Sequence, residues 1–318
     1  MEWGIEIPTF GRLADPASVA AIGRAVEELG FESLWIADHI VFPPKIASRY
    51  PYSADGEFLT PPDTPFYDPL VMLGYFAALT ERPKLGLSVL ILPYRNPVVT
   101  AKMLATVDQV SRGRLLLGIG VGWMKEEFDA LNVPFDDRGI RTDEYVEIFR
   151  KIWSEPTPSF AGRTYRFDPI KAEPKSYRPE GPPIYVGGNA PPALRRSARL
   201  SNGWHANRLT PEAYLDHRRR LDDLCRQNGR DPAEVPTIFK IAIRPVNDPN
   251  HQPDTSGRSL SGTPDQIAAG FEPYIQAGIS SFVFHIAAGD QGQFLRTIEQ
   301  LAREIRPRVE AVAGRPSA

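Results

Sequence analysis

Asp38 and His39 stand side by side where the apolar run Ser33 to Ala37 ends. An imidazole takes up or releases a proton near neutral pH, and a nearby carboxylate favours its charged form. Neighbouring side chains on a strand point to opposite faces, so the two need not pair with each other. Two readings stay open: His39 contacts a reacting centre, or the pair is a hydrogen-bonded strand end. A second candidate is Gly187-Gly188-Asn189-Ala190-Pro191-Pro192, where Ile184 to Val186 turns into a helix. Free N–H groups of Gly188, Asn189 and Ala190 at that helix start would suit a phosphate, with the helix dipole adding to them. An ordinary strand-to-helix turn is the plainer alternative. The third is Arg114 to Trp123, an apolar strand that passes into alternating glycines at Gly118, Gly120 and Gly122. Those glycines serve either tight packing or close approach of backbone to a flat ligand.

Other chemistries lack their residues. There is no H-x-x-x-H or H-E-x-x-H pattern, so no catalytic metal is expected. There is no G-x-S-x-G elbow for a serine nucleophile, and no Walker A loop. Without a metal or nucleophile, redox chemistry carried by an organic cofactor becomes attractive. A net charge of −2 argues against a nucleic-acid or anionic-membrane partner. The N-terminus lacks a basic, apolar leader and no apolar run is long enough to span a bilayer, so a cytoplasmic protein is expected. The lone Cys225 fits a reducing compartment and sits in a polar helical pattern, as a packed thiol rather than a nucleophile.

The elements that must position these residues alternate strand and helix. Eight strands are predicted at 4–7, 33–37, 84–92, 114–119, 184–186, 203–206, 237–243 and 281–285. Helices are predicted at 16–29, 69–80, 98–110, 125–131, 141–154, 191–200, 211–228, 264–277 and 291–305. Asp15 is a natural N-cap before Pro16, and Asn96 caps before Pro97. Such alternation gives parallel strands with right-handed crossovers, and eight units give a closed (β/α)8 barrel. A Rossmann fold would want G-x-G-x-x-G near the first strand; here G-x-G-x-G lies on a middle strand, and Trp123 follows it. Three irregular segments remain, 40–67, 155–183 and 245–261, with a hairpin around Ala161-Gly162-Arg163. The 318 residues then form one barrel domain with inserted loops. In a barrel the residues just after each strand share one rim, where active sites sit. Asp38, His39, Trp123, His205, Asn207 and His285 all fall there.

The ordered motifs Trp35-Ile36-Ala37-Asp38-His39, Leu87 to Pro97, Arg114 to Trp123 and Pro183 to Asn189 resemble the bacterial luciferase-like monooxygenase superfamily. Within it the chain most resembles the branch that uses the deazaflavin coenzyme F-420. The resemblance implies a barrel, a homodimer, and a flavin-like ring across the rim with its phosphate at Gly187, Gly188 and Asn189. It places a bulge with a non-prolyl cis peptide at Ser88-Val89. It makes Asp38 and His39 the pair facing the coenzyme, with His39 the proton donor or acceptor. The cofactor contacts expected are Ser88, Val89, Val121, Gly122, Gly187, Gly188, Asn189, Ala190 and His205, and the substrate pocket includes Trp123 and Asn207. Sugar-phosphate dehydrogenases of this branch carry a glutamate where this chain has Trp123. An indole cannot exchange that proton, so sugar-phosphate oxidation is not expected here. The resulting expectation is hydride transfer between F-420 and a small organic substrate, with a separate reductase renewing the coenzyme. The alternatives are an FMN-dependent monooxygenase and a non-catalytic flavin-binding barrel.

Overall fold

A computed structural model describes residues 1–53, 55–58 and 60–313. Eight parallel strands close into a barrel: β1 (Glu2–Glu6), β2 (Ser33–Ile36), β3 (Lys84–Leu87), β4 (Leu115–Gly120), β5 (Ile184–Gly187), β6 (Gly203–Asn207), β7 (Thr237–Pro245) and β8 (Ser281–Ile286). Each pairs with the next, and β8 returns to β1 through the register Glu2 with Ser281 to Ile5 with Phe284. Around it run α1 (Pro16–Glu28), α2 (Pro69–Leu79), α3 (Pro97–Val110), α4 (Lys125–Ala130), α5 (Arg138–Ser154), α6 (Pro191–Leu200), α7 (Pro211–Gln227), α8 (Pro264–Gln276) and α9 (Gln291–Gln300). The expected closed (β/α)8 barrel is what the chain adopts.

Local chemistry sets the helix starts. Asp15 accepts from the N–H groups of Ala17 and Ser18, Asp68 from those of Leu70 and Val71, and Asn96 from those of Val98 and Val99. In each case proline follows the cap, where no N–H is needed. Thr263 and Gln266 cap α8 reciprocally. The main core lies between the strands and the helices. A smaller one fills the barrel itself, where Trp35 packs with Leu116, Ile238 and Val283. Gly4 and Gly86 border that indole, and a Cβ on either would collide with it.

The structure departs from the predicted elements in four places. The third strand is not continuous to residue 92: it stops at Leu87, and the chain rejoins β4 at Leu90 and Ile91 after a cis Ser88–Val89 peptide bond. The segment predicted as a polar loop contains a short strand, Ser259–Gly262, paired with β7. Its sequence, Ser-Leu-Ser-Gly, hid it, because only Leu260 is apolar. Helix α5 begins at Arg138 rather than 141. The last helix passes through one π-helical turn, Leu301–Ile305, and continues as α10 (Arg306–Ala313). The predicted hairpin is present as Phe160–Ala161 paired with Arg166–Phe167. Among the described residues no helix is long and apolar enough to cross a membrane.

Candidate active site

His39 follows β2 at the rim, and a glutamate from a different element orients it. Its Nδ1 lies 2.8 Å from Glu127 Oε2, with the His39 side chain 12% exposed and that of Glu127 fully buried. Tyr94 donates its hydroxyl to the same oxygen at 2.7 Å. The other oxygen accepts from the N–H groups of Ile40 at 2.6 Å and Val41 at 3.2 Å. Burial alone would raise Glu127, but the hydrogen bond and charge of His39, with these other donors, hold it below the ordinary glutamate value. Burial and the Glu127 charge push the Tyr94 phenol up, so it remains a donor. An ionised carboxylate only accepts, so neutral His39 carries its proton on Nδ1. Nε2 is then the nitrogen left for proton exchange.

Asp38 faces elsewhere. Its carboxylate takes both arms of the Arg95 guanidinium, at 2.6 and 2.8 Å, and the Ile91 N–H at 2.9 Å. Arg95 also reaches Asp68 at 3.0 Å. Burial lowers Arg95, but Asp38 and Asp68 outweigh it and hold it above its usual value. For Asp38 the balance runs the other way: burial raises it, against the pull of Arg95. Three converging donors, two of them a fork that matches a carboxylate, decide for the ionised pair. Asp38 therefore ties the end of β2 to the start of α3 and does not pair with His39.

The glycines divide sharply by what surrounds them. A Cβ on Gly118 would collide with the Leu87 carbonyl. On Gly120 or Gly187 it would sit 2.7 Å from a methyl of Val89, and on Gly122 it would sit 2.7 Å from the Phe128 ring. These four admit protein atoms, chiefly the bulge at Ser88 and Val89. Gly188 differs. Its φ is +105° and a Cβ there would meet nothing closer than Ala193 at 3.5 Å and the Tyr52 hydroxyl at 3.7 Å. It is the open position of the turn. Its N–H, expected to be free, instead donates to the His205 carbonyl at 3.3 Å. Asn189 spends its side chain on Asn207, donating to the Asn207 carbonyl at 2.7 Å. Ala190 is the N-cap of α6, and Pro191 and Pro192 bring no N–H to its first turn. The donors there are fewer than the sequence suggested, because the turn closes on its neighbour strand.

His205 lies 2% exposed beneath the rim, edge-on to Trp35, and its Nε2 has no partner among the described residues. Burial, with the Lys240 charge, lowers it to about 3, so it is neutral. Beside it a charged group crosses the barrel mouth: Glu6 of β1 binds Lys240 of β7 at 2.5 Å and His285 of β8 at 2.6 Å. Burial would raise Glu6, but these two partners lower it to about 2. Over the rim, segment 40–67 lays down aromatic rings. Phe42, Phe58 and Phe66 stand 5.0 to 5.6 Å from the His39 ring, and Trp123 stands 6.3 Å from it. Tyr50 and Phe58 in turn cover Trp123 at 5.0 and 5.3 Å. Surface cavities of about 430 and 460 Å³ lie at the Phe160–Phe167 hairpin and within segment 40–67, where Phe58 lines the second.

Glu127, Tyr94, Arg95, Glu6 and Lys240 were not picked out from sequence. For Glu127 a signal existed. Met124, Glu127, Phe128 and Leu131 fall at i, i+3, i+4 and i+7, which puts a glutamate on the apolar stripe of α4. Glu6 had none, since an isolated charge ending a strand reads as solvated. Among the described residues no group of three or more His, Cys, Asp or Glu could hold a metal.

Residues 2–252 match the family model described as luciferase-like monooxygenase. An uncharacterized protein of Mycobacterium tuberculosis is 35% identical over 218 residues, covering 68% of this chain and 75% of its own. An F-420-dependent glucose-6-phosphate dehydrogenase of Nakamurella multipartita is 29% identical, with 94% of each chain covered. The crystal structure of the monooxygenase RslO1 from Streptomyces bottropensis superposes with a TM-score of 0.76 at 22% identity, over 96% of this chain and 99% of its own. At that identity the likeness is one of fold.

Proposed function

This chain belongs to the luciferase-like monooxygenase family, and from that premise we propose an F-420-dependent oxidoreductase that moves hydride between the deazaflavin and a small organic substrate. Relatives named as F-420-dependent dehydrogenases support the coenzyme, at 28 and 29% identity over most of the chain. The observation that carries the reading is the His39–Glu127 pair at the end of β2. It is a proton-handling imidazole, held in one tautomer by a buried carboxylate and walled by aromatic rings. The coenzyme, when bound, supplies two-electron hydride chemistry. Proton chemistry falls to the protein. His39 Nε2 gives or takes the substrate's proton, and Glu127 stabilises the imidazolium at Nδ1. Gly188 offers open backbone for the coenzyme's phosphate end, and the unpaired Nε2 of His205 is a buried polar atom below the same turn. Trp123, Tyr50 and Phe58 exclude water and give the substrate an apolar wall. Trp123 takes the place of the acidic residue of the sugar-phosphate enzymes, so the substrate here is another organic molecule. Reduced coenzyme would come from a separate reductase.

Titrating the purified chain with F-420, in both redox states, and with FMN tests this. Micromolar F-420 binding with FMN binding at least tenfold weaker is expected. Micromolar FMN binding without F-420 binding would replace the reading with an FMN-dependent monooxygenase. Binding of either with no turnover in any substrate screen would leave a non-catalytic barrel.

A further inference from the structure

Segment 40–67 is fastened to a single turn of helix, and that turn also orients His39. Helix α4 starts at Lys125 with Met124 as its N-cap, and Met124 offers no side-chain acceptor. The missing acceptor comes from the segment: Ser48 Oγ accepts the Lys125 N–H at 3.0 Å. In return Glu126 Oε1 accepts the N–H groups of Ala47 at 2.7 Å and Ser48 at 3.0 Å. The pattern is a reciprocal cap whose two halves lie 77 and 78 residues apart in the chain. The next residue, Glu127, holds Ile40 N–H, Val41 N–H and His39 Nδ1. Two consecutive glutamates thus grip the segment at two points, one of them through the catalytic candidate. The second oxygen of Glu126 is buried and without a partner among the described residues, so the grip rests on Oε1 alone. Above these bonds lie the rings that cover His39 and Trp123. The His39 side chain is 12% exposed beneath those rings, and the rings belong to the same segment that this turn of α4 holds.

We propose that Glu126 is a positioning residue: by docking segment 40–67 on the start of α4 it holds Glu127 against His39 Nδ1, so that closure of the rim and selection of the His39 tautomer are one event. The inference rests on the reading of His39 as the proton-handling group. Ser48 completes the dock by capping the helix that Glu126 opens.

The test uses the full chain without coenzyme and reads two signals. Of the five tryptophans, Trp3, Trp35, Trp153 and Trp204 are at most 1% exposed, while Trp123 is half-buried. Acrylamide quenching therefore reports Trp123 and the rings over it. Nitrogen-15 spectra of labelled histidine, with His39→Ala for assignment, report the tautomer of His39. In the unaltered chain we expect weak quenching and an Nδ1–H His39. In Glu126→Ala, quenching should rise at least twofold and the His39 signal should move to mixed tautomers. Glu126→Gln keeps an oxygen acceptor for the two amides and should restore both signals, which loss of packing alone would not predict. If Glu126→Ala does not fold, Ser48→Ala removes only the hydroxyl cap and should shift both signals in the same direction. Quenching that rises while the His39 signal stays put would overturn the coupling. No change in either would overturn the dock. Neither signal involves a coenzyme, so failure to bind F-420 would refute the preceding reading and leave this one standing or falling by its own data.

Discussion

On the proposed reading His39 carries the proton chemistry and Gly188 leaves room for the coenzyme, so the two should fail differently. General acid–base catalysis contributes on the order of 10²–10⁴ in rate. His39→Ala should therefore cut turnover by at least about a hundredfold, while F-420 affinity changes by less than about threefold. A large loss of affinity with turnover preserved would make His39 a binding residue. Gly188→Ala should do the reverse. At a φ of +105° a side chain is strained by about 1–3 kcal/mol, and the position is otherwise open, so the expected readout is weaker coenzyme binding in a folded chain. His205 sets a pH dependence. Its folded value, about 3, lies below the 6.5 of the free group. The unfolded chain therefore binds a proton that the folded one refuses, and stability present above about pH 6.5 is lost as pH falls toward 3. Glu6, at about 2 against 4.5, adds a further loss below pH 4.5 by the same sign. Urea midpoints should fall between pH 7 and 5, and His205→Gln should flatten that slope.

At the level of elements, the bulge after β3 and the glycines of β4 and β5 are one packing unit. Val89 occupies the space that Gly120 and Gly187 leave, and the Leu87 carbonyl occupies that of Gly118. Gly118→Ala should cost about 1–3 kcal/mol or more by overpacking, seen as a lower urea midpoint, because backbone cannot swing aside as a side-chain tip can. The Asp38–Arg95 pair works at the same level, joining the end of β2 to the start of α3. Its side chains are 0% and 10% exposed. Removing one partner leaves the other charge buried, so Asp38→Asn should lower stability by about 3 kcal/mol in chemical denaturation. If Asp38→Asn instead leaves stability unchanged and abolishes turnover, the residue is catalytic after all.

At the level of the whole molecule, one face is unlike the rest. Helix α2, Pro69 to Leu79, is apolar nearly all round, yet Val71 and Tyr75 are 66% and 40% exposed. On the adjoining α3, Val99, Met103 and Val110 are 56%, 36% and 61% exposed and lie on one stripe. Exposed apolar side chains on two adjoining helices are the kind of surface that a partner would cover. The homodimer expected from the family resemblance would use this face. Light scattering should give about twice the 35.4 kDa chain mass, and Val71→Glu with Val99→Glu should give the monomer. A monomer in the unaltered chain would remove the homodimer from the account.

The fold was legible because it is written in period and punctuation. Eight apolar runs, nine helical patterns and proline-led caps such as Asp15-Pro16 and Asn96-Pro97 are local signals, and a barrel follows from their alternation. His39, Trp123 and Gly188 were legible as strand-end residues for the same reason. The meaning of the residues around them was not local. The sequence leaves the partner of Asp38 open, and Arg95, 57 residues on, takes its carboxylate. Gly118 and Gly120 read as either packing or room for a ligand, and the bulge after β3 fills that room. Glu127 lies 88 residues from His39 and meets it only because the rim of a closed barrel brings the ends of β2 and β4 together. Sequence alone determined which residues could do chemistry and on which rim. Which carboxylate serves which cation was decided only by the tertiary structure, since a buried charge binds whatever partner the fold delivers within about 3 Å.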